Sequence, residues 1–219
     1  MDSVTDHHHA GTSNVGSAAA HTIVGSIAPN FSARSTYGDV SLSDYESRWV
    51  LLFFHPADFT PVCTSEFVGL AQRRAEFDAM NVQLLGISID SVFSHLAWVE
   101  WIKSHYDVAV NFPILEDISM NIARAYGRMP EHMQGTELTR ACCFISPEQR
   151  VEALIHYPMQ VGRSIDEILR VFSALQEVRS SGASCPADWR AGDTTFHYPE
   201  LGVGRDGSWL GSALKLGEK

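Results

Sequence analysis

The run WVLLFFHPADFTPVC, Trp49 to Cys63, decides how the chain is read. Its first six residues are continuously apolar, with the length and composition of a strand buried on both faces. Pro56 and Pro61 forbid the strand to continue. Beyond Cys63 the period changes: Phe67, Leu70, Ala71, Arg74, Phe77 and Met80 recur at helical spacing, predicting one helix. Cys63 therefore falls where a buried strand gives way to the first turn of a helix. Unpaired N–H groups and the positive end of the helix dipole favour an anion there. A free thiol titrates near ~8.5 and only its thiolate is a nucleophile, so this placement makes Cys63 a candidate reactive cysteine. The bland alternative is a buried, inert thiol beside a helix start.

Composition narrows the setting. The chain has 219 residues, 45% of them hydrophobic, and a formal net charge of −10. That charge disfavours a nucleic-acid backbone or an anionic membrane surface as partner. No run of about 18 apolar residues offers a membrane span. The N-terminal stretch holds Asp2 and Asp6 and no apolar core, unlike a secretory signal, so cytoplasmic residence is the expectation. Residues 1–20 are expected to be a disordered extension, and His7, His8 and His9 a solvated run rather than a metal site. Four cysteines, at 63, 142, 143 and 185, are too few and too uneven for a secreted disulfide framework. No Cys-x-x-Cys is present, so neither a zinc ribbon nor a dithiol redox pair is written here. No metal or cofactor is expected.

Strand and helix signals alternate along the remainder. Residues 84–89 (LLGISI) read as a second buried strand, and 91–106 as a helix with Leu96, Val99, Ile102 and Tyr106 on one face. Trp98 and Trp101 in that helix are read as core or interface aromatics. A short strand at 112–115 and a short helix at 119–126 follow. Residues 140–145 and 151–156 read as strands joined by the turn Ser146 to Gln149. Ser164 to Glu167 (SIDE) is a capping box opening a helix that turns Ile168, Leu169, Phe172 and Leu175 inward. The expected class is α/β, a sheet covered by helices on both faces. The domain is expected to span residues 21–179, with 180–219 an extended arm.

The block HPADFTPVCTSE, His55 to Glu66, resembles the active-site loop of the peroxiredoxins of the AhpC/TSA family, whose Pro-x-x-x-Thr-x-x-Cys pattern falls on Pro56, Thr60 and Cys63. VGSIAPNFSARSTYGDVSLSDY, from Val24, is similar to the two-strand opening of that family, with Pro29 and Gly38 as turns. The resemblance spans about residues 21–200 and implies a thioredoxin-like fold and a thiol peroxidase acting on hydrogen peroxide and organic hydroperoxides. A thiolate attacking one peroxide oxygen needs the O–O bond held in line and the leaving charge stabilised. The resemblance assigns the attack to Cys63, a hydrogen-bonding role to Thr60 and a shielding one to Pro56. TELTRACCFISP is similar to the family strand whose arginine faces the site, which gives the cation to Arg140; a guanidinium is permanently charged and rich in donors. Arg163 matches a second family arginine in a supporting role.

Other residues have two readings. His55 could orient or protonate a leaving group, or simply line the pocket. Glu66, one turn into the helix, suits the dipole there whether or not it serves the chemistry. Cys142 and Cys143, adjacent in a strand, point to opposite faces and are read as small core residues. Cys185, in SCPADW, resembles the resolving segment of two-cysteine peroxiredoxins, which implies a homodimer whose disulfide joins Cys63 to Cys185 of the partner subunit. The body of the chain, with His55 and GTELTRA, looks more like the single-cysteine branch. A thioredoxin-like or other thiol reductant, and assembly of dimers into a ring-shaped decamer, follow from the same resemblance. The rival readings are a single-cysteine peroxidase with an external thiol as resolver, and a redox-switched holdase or signalling protein.

Overall fold

The computed structural model describes residues 22–128 and 139–197; the His7–His9 run, residues 1–20 and the tail from 198 lie outside the described residues. The strands are β1 (Ser32–Ser35), β2 (Gly38–Ser41), β3 (Trp49–Phe54), β4 (Val82–Ser88), β5 (Ile114–Glu116), β6 (Arg140–Ile145) and β7 (Val151–Tyr157). The helices are α1 (Pro61–Gln72), α2 (Arg74–Ala79), α3 (Val92–Tyr106), α4 (Asn121–Ala125) and α5 (Ile165–Ser181). One sheet orders the strands β2-β1-β5-β4-β3-β6-β7. β3 runs parallel to β4 and antiparallel to β6, and β4 runs parallel to β5. No described helix is long and apolar enough to cross a membrane.

The unbroken apolar run of β3 has a direct cause. Trp49, Leu51 and Phe53 pack on one face against Phe67 and Leu70 of α1, Trp98 and Ile102 of α3 and Phe172 of α5. Val50, Leu52 and Phe54 pack on the other with Leu42, Ile122 and Tyr126. All six are buried, and side chains of this size contribute about 1.5–3 kcal/mol each on burial. Packing is closest at Gly86 of β4, where a Cβ would lie 3.0 Å from Phe67 and 3.2 Å from Phe53. Cys142 joins the first face and Cys143 the second. The alternation expected of two adjacent strand residues holds.

Three details differ from the sequence reading. The helix beyond Cys63 is two helices, because the Arg73 backbone (φ −98°, ψ 11°) leaves helical geometry. Its guanidinium there binds Glu76 and Asp166. In α3 the inward face is Val92, His95, Trp98 and Ile102, while Leu96 and Tyr106 are exposed. Apolar spacing alone does not mark this face, because a histidine holds a core position with its ring nitrogens hydrogen-bonded inside. At α5, Ser164 Oγ accepts from the Glu167 N–H as a cap should. The Glu167 carboxylate pairs with Arg170 instead of returning to the cap.

Beyond α5, Gly182 (φ 67°) ends the helix in the left-handed region that glycine tolerates. Ser184 and Phe196 then exchange backbone hydrogen bonds of 2.7 and 2.8 Å. Trp189 is buried, its indole N–H donating to the Asp193 carbonyl at 3.0 Å, and Arg170 of α5 reaches the Trp189 carbonyl at 3.5 Å. Segment 183–197 thus lies back along α5 of its own chain.

Candidate active site

The prolines do what the sequence requires of them. β3 ends at Phe54, the loop 55–60 crosses the sheet end, and Pro61 opens α1 at its first position, where a missing N–H costs nothing. Cys63 is the third residue of α1 and its side chain is fully buried. The loop backbone is unusual at Phe59, whose φ of 58° is uncommon for a bulky residue. Its ring lies half exposed against Trp98 and Trp101 of α3.

Three charged side chains form one buried cluster, and one of them touches the sulfur. Arg140, first residue of β6, donates from Nη1 to Cys63 Sγ at 3.3 Å and to Glu66 Oε2 at 2.7 Å. Its Nε donates to the Met159 carbonyl at 2.8 Å, which fixes the plane of the guanidinium. Arg163, in the turn before α5, holds the same carboxylate: its backbone N–H and Nε reach Oε1 at 2.8 and 2.9 Å, and Nη2 reaches Oε2 at 2.6 Å. Nη1 donates to the Phe54 and Ala141 carbonyls at 3.0 and 3.2 Å, and the guanidinium sits over the Phe53 ring. Burial pushes the Glu66 carboxyl up, but Arg163 and then Arg140 outweigh it and hold the group below the usual carboxylate range. Glu66 is thus far more than a helix-end charge. It locks both arginines.

The charge count of this buried cluster carries the chemistry. Two guanidiniums and one carboxylate leave one positive charge, facing a sulfur at hydrogen-bond distance. An unbalanced buried charge is costly, so this pocket favours an anion beside the Cys63 sulfur. The unpaired N–H groups of the first turn of α1 add to the same preference.

Not every expected residue touches the sulfur. Pro56 is buried beside the site. Thr60 stands at the N-cap position of α1 without a side-chain cap: its hydroxyl donates to the Ala57 carbonyl at 3.0 Å, so its lone pairs rather than its hydrogen are left for a ligand. Cys142 Sγ lies 3.8 Å from Arg163 Nη1, and burial pushes its thiol up despite that cation. Burial pushes Cys143 up to about 12. Both are core thiols that stay protonated. Cys185 is remote from this cluster, its Sγ lying 3.7 Å from the Ala174 carbonyl in α5. Two surface concavities, about 450 Å³ beside Glu46 and Glu148 and about 180 Å³ beside Arg73 and Arg190, lie apart from Cys63.

His55 and its neighbours hold what the sequence did not reveal. His55 is fully buried and its Nε2 lies 3.0 Å from Asp58 Oδ1. The other oxygen of Asp58 lies 2.8 Å from His95 Nδ1, and His95 Nε2 lies 3.1 Å from the Leu115 carbonyl. Asp58 and His95 were not among the candidate residues. The available signal was a histidine in register with Val92, Trp98 and Ile102, a polar residue at a core position.

Comparison with known proteins agrees with this geometry. The profile described as the AhpC/TSA family matches residues 24–154. Peroxiredoxin 2 of Thermoplasma acidophilum is 46% identical over 169 residues, covering 77% of this chain and 84% of that protein. Among solved structures, a yeast mitochondrial 1-Cys peroxiredoxin superposes with TM-score 0.74 at 38% identity, covering 79% of this chain and 85% of the other. A Plasmodium vivax 2-Cys peroxiredoxin gives TM-score 0.74 at 34% identity, covering 80% and 92%. Single- and two-cysteine enzymes thus share this thioredoxin-like architecture equally. With its sequence, its fold and a thiol set against a paired arginine in a strand-to-helix turn, the chain belongs to the AhpC/TSA family and is a peroxiredoxin.

Proposed function

We propose that Cys63 is the peroxide-reacting thiolate and that Cys185 of a partner subunit resolves it. The observation that carries the first half is the Arg140 guanidinium 3.3 Å from Cys63 Sγ in a cluster otherwise one positive charge in excess. The thiolate attacks one oxygen of the hydroperoxide. The S–O bond forms as the O–O bond breaks, and the leaving alkoxide or hydroxide takes a proton from water. Arg140 stabilises the charge at both ends of that transfer and Arg163 keeps Arg140 and Glu66 in place. Thr60 offers lone pairs to the peroxide O–H, and Pro56 keeps the loop closed around it. Hydrogen peroxide and organic hydroperoxides are the substrates.

The product is a sulfenic acid, which condenses with a thiol and releases water. Within one chain Cys185 lies at the level of Ala174, about 13 Å along α5 from the end that bears the cluster, at 1.5 Å per residue. A disulfide needs Cα atoms within about 7 Å, so the arm must leave α5 or come from another copy. This supports a disulfide between subunits of a homodimer. Burial, then Glu177, pushes the Cys185 thiol up, which suits a resolver that ignores peroxide and reacts with the sulfenic acid. A dithiol donor of the thioredoxin kind then reduces the disulfide; the yeast 1-Cys relative is resolved via glutathione/thioredoxin systems. Cytoplasmic residence and assembly of dimers into a ring belong to the same reading.

The test is peroxide turnover with a thioredoxin system as the only reductant. Cys63→Ser should abolish it. Cys185→Ser should keep the first oxidation step and lose turnover. Unimpaired turnover in Cys185→Ser would make this a single-cysteine enzyme.

A further inference from the structure

We propose that the buried chain His95–Asp58–His55 is a positioning device for the peroxidase site, in which a charged His95 holds Asp58, and Asp58 fixes both the Cys63 loop and the tautomer of His55. The proton count follows from the partners. A carbonyl only accepts, so His95 Nε2 facing the Leu115 oxygen at 3.1 Å carries hydrogen. Asp58 meets a ring nitrogen with each oxygen, at 3.0 Å from His55 and 2.8 Å from His95. As a carboxylate it accepts from both, so His95 Nδ1 carries hydrogen as well. His95 is then an imidazolium, Asp58 a carboxylate and His55 a neutral ring with hydrogen on Nε2. The buried trio sums to zero charge, the condition under which buried ions are tolerated.

The remaining atom agrees. His55 Nδ1 is buried with no hydrogen-bond partner, while the ring packs against Phe67 and Trp98. A bare lone pair there costs less than an N–H with nothing to accept it. Burial lowers the His55 affinity for a second proton. Burial alone would raise the Asp58 carboxyl, but the two histidines outweigh it and hold it well below the carboxylate range.

The same aspartate ties down the loop. Its backbone N–H donates to Asp90 Oδ2 at 3.0 Å, and that oxygen also accepts from Ser88 Oγ at 2.7 Å. The stretch between β3 and Cys63 is thus pinned to the β4–α3 corner by backbone and to α3 by side chain. Other charges face the trio. Glu116 of β5 is held by Val92 N–H and Arg34 and acts on His95, Arg163 acts on His55, and Asp90 stands at the corner. The facing atoms lie within 4.8 Å of one another, a spacing that a cation could use. Those atoms already pair among themselves, and a divalent ion would displace the His95 proton and leave the buried trio positive. The hydrogen-bonded strut fits better.

This inference rests on Cys63 being the peroxide-reacting sulfur, so its test has an arm that does not. In the full-length wild-type protein, long-range ¹H–¹⁵N spectra of the histidine rings at neutral pH should show His55 as the Nε2–H tautomer and His95 with both nitrogens protonated. A neutral His95, or hydrogen on His55 Nδ1, overturns the proposal whatever the protein catalyses. The second arm is the rate constant for Cys63 oxidation by hydrogen peroxide. His95→Ala should lower it about 10- to 100-fold, the scale of a displaced reacting group. His95→Asn, which can return a donor to Asp58, should recover part of the loss. A folded His95→Ala protein oxidised within twofold of wild type, or no recovery in His95→Asn, would overturn it. A wild-type protein inert to peroxide would sink the Cys63 reading and leave the tautomer result standing.

Discussion

Replacing Arg140 by Met is the sharpest perturbation of the thiolate. The substitution keeps an unbranched apolar stem and removes the only cation within 3.3 Å of Cys63 Sγ among the described residues. At that separation two unit charges interact by about 5 kcal/mol for an effective dielectric near 20. Side-chain relaxation and water entry reduce that figure. Loss of one oriented donor to a developing charge costs about 2.7–4 kcal/mol, or 10²–10³ in rate. A second consequence adds in the same direction: Glu66 keeps only Arg163, so its negative charge is less balanced and itself opposes a thiolate. The second-order rate constant with hydrogen peroxide at neutral pH should therefore fall by about 10²–10³. The assay is competition with a haem peroxidase for limiting peroxide, alongside the ultraviolet absorbance of the thiolate as pH is raised. Arg140→Lys should recover little, since one ammonium cannot reach Met159, Glu66 and Cys63 as the fork does. A rate within tenfold of wild type in Arg140→Met would refute the claim that this guanidinium sustains the nucleophile.

Three further outcomes follow from the same geometry. Glu66→Gln leaves two buried guanidiniums without their shared counter-charge, so unfolding in urea should show a loss of about 3–5 kcal/mol; a loss below 1 kcal/mol would contradict the locking role. Acidification should destabilise the fold through its buried carboxylates. Glu66 and Asp58 are depressed, so their contribution is present above the unfolded carboxylate range near ~4 and is lost below it. A urea midpoint that holds steady or rises as pH is lowered below ~4 would contradict the sign. Gly86→Ala should cost about 1–3 kcal/mol by overpacking against Phe67 and Phe53, and an unchanged midpoint would show that the rings give way freely.

Much of this was legible in the chain because its local signals agree. The β3 run, two prolines and a change of period placed Cys63 at a helix start, and the structure puts it at the third position of α1. Cys142 and Cys143 faced opposite cores as a two-residue period dictates. What stayed hidden depended on contacts far apart in sequence. The Glu66 bridge joins α1 to Arg140, 74 residues on, and to Arg163, 97 residues on. Nothing local marks a carboxylate that will be shared. In α3, hydrophobicity alone does not mark the buried face, because His95 is buried through its hydrogen bonds. Its link to Asp58 spans 37 residues and closes only once β3 and α3 are stacked.

The most direct measurement is intact mass under denaturing, non-reducing conditions after one equivalent of hydrogen peroxide is added to the reduced protein. The account predicts a covalent dimer that dithiothreitol splits, absent in Cys63→Ser and in Cys185→Ser, the latter gaining oxygen at Cys63 instead. A wild-type monomer oxidised at Cys63 would place resolution outside the protein. A Cys63 left unmodified would contradict the central claim that Arg140 and Glu66 hold a thiolate ready for peroxide.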